Sequence, residues 1–228
     1  MTSTLRVLAH RGAHDAHTHE NTIAAFERAV ALGADGCELD VRRSADGELV
    51  IFHDYGVGRE PISSLSASAI SSRVGYPLPL LADVLEWAGD RVALDIELKE
   101  DGYVEQVAPL LDAFAAAGGS LLVTSFIDPV LERLGSIAPG LRRGLLIGMS
   151  AIGAVSRARK CHADAIVLQA KLASERVVAE ACAVGLEILV WDVLATGDGH
   201  SRFIADLRVA GVITDDLEWA LAERSAVR

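Results

Sequence analysis

The hydrophobic and polar residues of the chain follow two periods, which predict strands and helices in alternation. The run 5–9 is apolar, as in a buried strand, whereas Ile23, Phe26 and Val30 recur at helical spacing before Gly33. From residue 80 onward, short apolar runs alternate with segments of helical spacing. The predicted strands are 5–9, 37–43, 92–98, 121–125, 144–147, 165–168, 187–192 and 211–214. The predicted helices are one that ends at Gly33, then 81–88, 104–117, 129–137, 151–160, 174–184, 202–209 and 217–224.

The stretch 37–54 predicts a hairpin that carries charged side chains. A period of two puts Glu38 and Asp40 on the same face of a strand. The Asp-Gly pair at 46–47 separates two strand-like runs, which is a strong signal for a tight turn. If the loop has two residues, His53 lies directly opposite Asp40, and the three side chains form one cluster. A three-residue loop with a bulge would shift this register.

The order of the elements predicts a closed (β/α)8 TIM barrel. Too few residues separate 37–43 from 49–53 for a parallel crossover, so 49–53 is an extra antiparallel strand. The other eight strands alternate with eight helices, which suits closure better than the alternative, an open doubly wound sheet. We expect a single domain over 1–228, in which the Ser-rich and Gly-rich stretch 55–79 is a short lid-like segment.

Composition narrows the class of partner. The 228 residues are 51% hydrophobic, and the formal net charge is -11 with scattered Lys and Arg, which argues against a nucleic-acid surface. The three cysteines have no metal-like spacing and no charged-then-apolar leader is visible, so we expect reduced thiols in a cytoplasmic protein. No apolar run is long enough to predict a membrane span. We therefore expect a small-molecule partner, and the oligomeric state stays open.

Charged residues occur where the predicted barrel would carry its function, at the carboxyl ends of the strands. Glu97 shares a strand face with Asp95 and Lys99, and it joins Glu38 and Asp40 at the same end of neighbouring strands. Buried carboxylates are tolerated only when they are paired or bound to a metal, and an all-oxygen set suits Mg²⁺ or Ca²⁺. The alternative to a divalent cation is a network of salt bridges to Arg11, Arg42 and Lys99.

Two histidines accompany this cluster. His10 ends the first strand and His53 lies on the hairpin, so both can reach the same place. A pair of imidazoles can serve as acid and base near neutral pH. Arg11 and Lys99 supply the positive charge that a phosphoryl group requires.

The loop after the first predicted strand has simpler interpretations. We expect its histidines to be exposed to solvent, and Glu20-Asn21-Thr22 to cap the first helix rather than to take part in catalysis. Trp191, at a later strand end, either lines a pocket or packs in the barrel. The three loop histidines are His14, His17 and His19.

Together these residues resemble the glycerophosphodiester phosphodiesterase family over nearly the whole chain. The matching segments are His10-Arg11-Gly12, Glu20-Asn21-Thr22 with Ala25-Phe26, Gly33-Ala34-Asp35, Glu38-Leu39-Asp40-Val41, Asp46-Gly47, His53-Asp54, Glu97-Leu98-Lys99, Ser125-Phe126, Trp191 and Ile213-Thr214-Asp215. The resemblance implies a TIM barrel that hydrolyses glycerophosphodiesters to glycerol 3-phosphate and an alcohol. It also implies one divalent cation, either Mg²⁺ or Ca²⁺, held by Glu38, Asp40 and Glu97. The implied acid/base pair is His10 and His53, and the implied substrate and phosphate contacts are Arg11, Lys99, Ser125 and Trp191.

Three other functions use similar barrels. A phospholipase acting on lysophospholipids or phosphoinositides could use the same cation, but it would need apolar surface around the mouth of the site. A catalytically silent binding protein could retain the barrel alone. A metal-dependent sugar-phosphate isomerase commonly recruits ligands from later strands, whereas the charged cluster here is confined to the first three.

Overall fold

Eight parallel strands close into a ring in the computed structural model, which describes residues 5–206 and 208–226. In chain order the strands are β1 (Arg6–Ala9), β2 (Gly36–Arg43), β3 (Leu49–Ile51), β4 (Gly56–Val57), β5 (Glu60–Pro61), β6 (Ala93–Leu98), β7 (Leu121–Ser125), β8 (Arg143–Ile147), β9 (Ala165–Gln169), β10 (Glu187–Trp191) and β11 (Gly211–Thr214). Strand β1 pairs with β11 on one side and with β2 on the other, which closes the ring. The (β/α)8 prediction is confirmed, and the open-sheet alternative is wrong.

Helices cover the outer face of the ring, and one more lies within the segment 55–79. They are α1 (Ile23–Leu32), α2 (Ala67–Val74), α3 (Leu81–Ala88), α4 (Val104–Ala116), α5 (Asp128–Ile137), α6 (Ala154–Lys160), α7 (Glu175–Ala183), α8 (Ser201–Ala205) and α9 (Leu217–Ala226). The predicted helix 202–209 is therefore shorter and begins one residue earlier, and its residue 207 lies outside the described residues. Among the described helices, none is both long enough and apolar enough to cross a bilayer.

The interior of the ring differs from one side to the other. One side is filled by apolar residues in the usual way for such barrels, namely Leu8, Leu122, Leu146, Ala165, Val167, Leu189 and Ile213. On the other side, β2 and β6 pair in parallel, with Glu38 beside Asp95 and Asp40 beside Glu97. Because side chains alternate across a strand, this register turns four carboxylates toward the interior.

The hairpin after β2 has a different register from the predicted one. Arg43 pairs with Leu49, and the Phe52 N–H donates to the Asp40 carbonyl at 2.9 Å. The loop is therefore 45–47, three residues long, with φ of 87° at Gly47. The prediction that His53 lies opposite Asp40 is wrong, because the additional loop residue shifts the ladder by one position. His53 instead follows β3 in a loop.

The segment 55–79 contains more regular structure than the sequence predicted. It forms the small β4–β5 hairpin, a short 3₁₀ turn at Ile62–Ser64 and helix α2. The segment has its own apolar cluster, which packs against the outer strand β3 and contains Val50, Ile62, Leu65 and Ile70. Its role as a lid, like the extent of the domain over 1–228, stays a prediction.

Candidate active site

Three carboxylates come together at the carboxyl ends of β2 and β6. One oxygen from each of Glu38, Asp40 and Glu97 lies within 4.8 Å of the others, and all three residues are buried. Burial and the neighbouring carboxylates raise the pKa of Glu38 well above its usual value. Burial likewise raises the pKa of Glu97 to about 7, even though Lys99 acts in the opposite direction. The surrounding protein groups therefore do not fully compensate the negative charge of these carboxylates.

Two cationic side chains contact the cluster but do not neutralise it. Lys99 Nζ lies 3.2 Å from Asp40 Oδ1 and 3.0 Å from Glu97 Oε1, and Arg11 Nε lies 3.4 Å from Asp40 Oδ2. Burial alone would raise the pKa of Asp40, but Lys99 and Arg11 hold it below its usual value. Arg42, the third cation of the predicted salt-bridge network, pairs with Glu100 instead. The salt bridges are thus present only in part.

The donor set fits a hard divalent cation. All of the converging atoms are carboxylate oxygens, which Mg²⁺ and Ca²⁺ prefer. One further buried carboxylate oxygen, Asp95 Oδ2, has no hydrogen-bond partner among the described residues. A dication at Glu38, Asp40 and Glu97 would offset both the burial and the mutual repulsion that raise the pKa of Glu38 and Glu97.

Both predicted histidines line one cavity beside the carboxylates, and each contacts an aspartate. His10 Nδ1 lies 2.8 Å from Asp215 Oδ1, and its Nε2 lies 3.9 Å from Glu38 Oε2. His53 Nδ1 lies 2.8 Å from Asp54 Oδ1. An aspartate on Nδ1 orients the ring and leaves Nε2 for proton transfer, as in other acid/base sites. Neither aspartate had been given a role from the sequence, although both occur in the matched segments.

The loop after β1 contributes more than the sequence predicted. His17 and His19 are exposed as expected, but His14 is half-buried and its Nε2 lies 3.3 Å from Asp215 Oδ1. Thr22 caps α1, since its hydroxyl accepts a hydrogen bond from the Ala25 N–H at 3.3 Å. The loop can approach α1 closely because of Gly12, where a Cβ would lie 2.8 Å from that of Ala25.

Asn21 was predicted to cap α1, but in the structure it does not. It is buried with a positive φ of 56°, and its Nδ2 donates to Asp40 Oδ2 at 2.8 Å. The preceding Glu20 accepts two hydrogen bonds from Arg11 Nη1, at 3.0 and 3.1 Å. Both residues therefore hold charged members of the site in place. Only their position within the matched segments could have indicated this.

Apart from Thr124, the rest of the cavity wall is apolar. Phe126 and Trp191 meet edge to face with their centroids 6.0 Å apart, and the Trp191 Nε1–H donates to the Ile147 carbonyl at 3.3 Å. The cavity encloses about 80 Å³, enough for a few water molecules or a similarly small group. Trp191 both lines the cavity and packs against the apolar cluster inside the ring, so the two alternatives hold together.

Ser125 is not brought to the cavity. Its hydroxyl donates to the Leu98 carbonyl at 2.8 Å and accepts from the Ile127 N–H at 3.1 Å, and the residue is fully buried. Side chains alternate along β7, so Thr124 faces the interior and lines the cavity in its place. The predicted substrate contact from Ser125 therefore has no support in the geometry.

Comparisons with known proteins agree with this site. The model of the glycerophosphoryl diester phosphodiesterase family matches residues 10–219. The chain belongs to that family. A glycerophosphodiester phosphodiesterase of Caldanaerobacter subterraneus subsp. tengcongensis is 32% identical over 235 aligned positions, which cover 93% of this chain and 94% of that protein.

Solved structures of glycerophosphodiester phosphodiesterases share the fold. The enzyme from Thermotoga maritima is 28% identical, with a TM-score of 0.77 over 96% of this chain and 97% of that one. A phosphodiesterase from Oleispira antarctica has a TM-score of 0.78 at 22% identity, with 96% of each chain covered. The protein is accordingly an enzyme, a phosphoric diester hydrolase, and the catalytically silent alternative is wrong. The family match begins at His10 and extends beyond Asp215, so it includes every residue of the site.

Proposed function

We propose that the protein hydrolyses glycerophosphodiesters to glycerol 3-phosphate and an alcohol, with a divalent cation and two acid/base histidines. The observation that supports this most is that two histidines, each in contact with an aspartate, line one cavity beside the three converging carboxylates. The Oleispira antarctica structure is described as a complex with the product sn-glycerol-3-phosphate. The same product is expected here.

In this proposal each residue has one role. Glu38, Asp40 and Glu97 would hold Mg²⁺ or Ca²⁺, which when bound supplies Lewis-acid stabilisation of phosphoryl oxygens. Arg11 and Lys99 line the cavity and add positive charge for the same oxygens. One histidine would take a proton from the nucleophile, either water or a neighbouring substrate hydroxyl, and the other would give a proton to the leaving alkoxide. Trp191 would pack against the carbon skeleton of the substrate.

The first test is a hydrolysis screen of glycerophosphocholine, glycerophosphoethanolamine and glycerophosphoinositol with added Mg²⁺ or Ca²⁺. We expect glycerol 3-phosphate from at least one of them, detected by an enzyme-coupled assay. Failure of all three substrates with either cation would overturn the proposal.

The pH profile should reflect the environment of His53. Burial lowers the pKa of His53, despite the opposing effect of Asp40. The ring is therefore neutral at pH 7, in the form that accepts a proton, and it becomes protonated only as the pH falls through a value below about 6.5. We expect kcat/KM to stay level down to that pH and then to decline. A decline that begins well above pH 6.5 and disappears in His53→Gln would contradict this prediction.

A lysophospholipid is a second candidate substrate, favoured by exposed apolar residues near the mouth of the cavity. Met149 and Ile152 are 97% and 85% exposed in the loop after β8. That loop adjoins the aromatic wall, since a Cβ on Gly148 would lie 3.1 Å from both Phe126 and Trp191. An acyl chain leaving the cavity would meet these residues.

Adding lysophosphatidylcholine to the screen tests this. Its hydrolysis should fall in the Met149→Ser/Ile152→Ser variant but not in Val184→Ser, an exposed position next to β10's amino end.

We also propose a cytoplasmic location. Cys37, Cys161 and Cys182 are all free, which suits a reducing compartment. Cys37 and Cys161 are buried and would be protected from oxidation, whereas Cys182 is exposed. Localisation of a tagged chain by cell fractionation tests this.

A further inference from the structure

Asp95 is one of four buried carboxylates on β2 and β6, and the other three form the proposed cation site. The pairing of β2 with β6 sets Glu38 beside Asp95 in one row and Asp40 beside Glu97 in the next. Asp95 is 1% exposed and lines the same cavity as Glu38 and Glu97. It is not one of the three residues whose oxygens converge within 4.8 Å. Its carboxylate therefore lies next to the converging oxygens without being one of them.

The other three carboxylates have partners among the protein's own groups. Asp40 is paired with Lys99, Glu97 is paired with the same amine, and Glu38 Oε2 accepts a hydrogen bond from the Arg11 N–H at 3.0 Å. Among residues 5–206 and 208–226, Asp95 has one hydrogen-bond partner only, the Thr124 hydroxyl, which donates to Oδ1 at 2.7 Å.

The second oxygen of Asp95 has no structural use. Oδ2 is buried and receives no hydrogen bond from any described residue. An amide would satisfy Thr124 equally well, because its carbonyl oxygen also accepts a hydrogen bond. A buried carboxylate with an unsatisfied oxygen destabilises a fold, so its presence indicates a ligand at this place.

We propose that Asp95 belongs to the divalent-cation site and that its free Oδ2 accepts a hydrogen bond from a water bound to the cation. Carboxylates that hold the ligands or waters of a metal commonly set its affinity. Asp95 acts through that water and is a positioning residue rather than a catalytic one. The inference rests on the proposed function, in that it requires the cation at Glu38, Asp40 and Glu97.

The test is Asp95→Asn, which preserves the shape of the side chain and an acceptor for Thr124. Chelator-treated protein is titrated with Mg²⁺ and with Ca²⁺ by calorimetry. We expect the dissociation constant to rise by about tenfold or more, the usual effect of removing such a group. Asp112→Asn is the matched control, because Asp112 is exposed on α4 and its loss removes the same charge far from the cavity. This control should bind with wild-type affinity.

Thermal unfolding gives a second readout, the stabilisation gained on adding Ca²⁺, which a purely structural role would not reduce. The variant removes one carboxylate from a crowded buried cluster, so we expect its cation-free form to unfold at a higher temperature than the wild type. The stabilisation gained on adding Ca²⁺ should be smaller than for the wild type. Cation affinity within twofold of the wild type would overturn the inference about Asp95. Absence of cation binding by the wild-type protein would instead overturn the proposed function.

Discussion

Alanine in place of His10 or His53 is expected to lower kcat for glycerophosphodiester hydrolysis by roughly 100- to 10,000-fold, the contribution of a general acid or base. Each ring lines the cavity and is oriented by an aspartate on Nδ1, and each side chain is at least 24% exposed. The fold should tolerate either substitution, because neither ring belongs to the buried apolar core. Steady-state kinetics with glycerophosphocholine, together with circular dichroism, measure the two effects.

The matched control for these variants is His17→Ala. His17 lies in the loop after β1, like the active-site residues near it, but its side chain is exposed. This variant should keep the wild-type kcat. A His10→Ala/His53→Ala double variant that retains full activity would rule out the histidine mechanism, whatever the single variants show.

Exhaustive chelation should abolish activity, with a loss of at least about 1,000-fold. Lewis-acid stabilisation of the transition state contributes several kcal/mol, and each 1.4 kcal/mol is tenfold in rate. Returning Mg²⁺ or Ca²⁺ should restore turnover, and the more effective of the two identifies the working cation. The measurement is kcat before chelation, after it and after each addition.

Two further outcomes bear on the cation. Glu97→Gln should weaken cation binding and also the recovery of activity when Mg²⁺ or Ca²⁺ is returned. The substitution removes one charged ligand from the three that converge. Activity that survives complete removal of the metal, verified by elemental analysis, would take the cation out of the mechanism.

Most of the fold followed from the alternation of periods, because most strands of the ring are distinct apolar runs, and β2 and β6 alternate apolar with charged residues. The hairpin register did not follow, because Asp46-Gly47 occurs both in two-residue turns and in three-residue loops. The Ser44 N–H donates to the Glu48 carbonyl at 2.9 Å, which fixes the longer loop. Helix α2 was missed because it is short and rich in serine, so its apolar spacing is weak.

The site was predictable where it depends on strand alternation. The three carboxylates Glu38, Asp40 and Glu97 face the interior because β2 and β6 are parallel neighbours. The sequence indicates this through the alternation of residues along each strand and the order of the strands. Ser125 shows the limit of the resemblance, because strand alternation puts its side chain on the outer face of β7 and that of Thr124 in the interior. The contact of Asn21 with Asp40 joins a loop to a strand, and no local period encodes such a contact.

The separate packing of the segment 55–79 bears on how the family can diversify. Its apolar cluster draws on its own residues, on Val50 of the outer strand β3 and on the flanking residues Phe52 and Leu80, and it shares no side chain with the cluster that fills the ring. Relatives can therefore lengthen, shorten or replace this part of the chain during evolution without repacking the barrel. New substrate ranges can arise there while the catalytic apparatus is inherited unchanged.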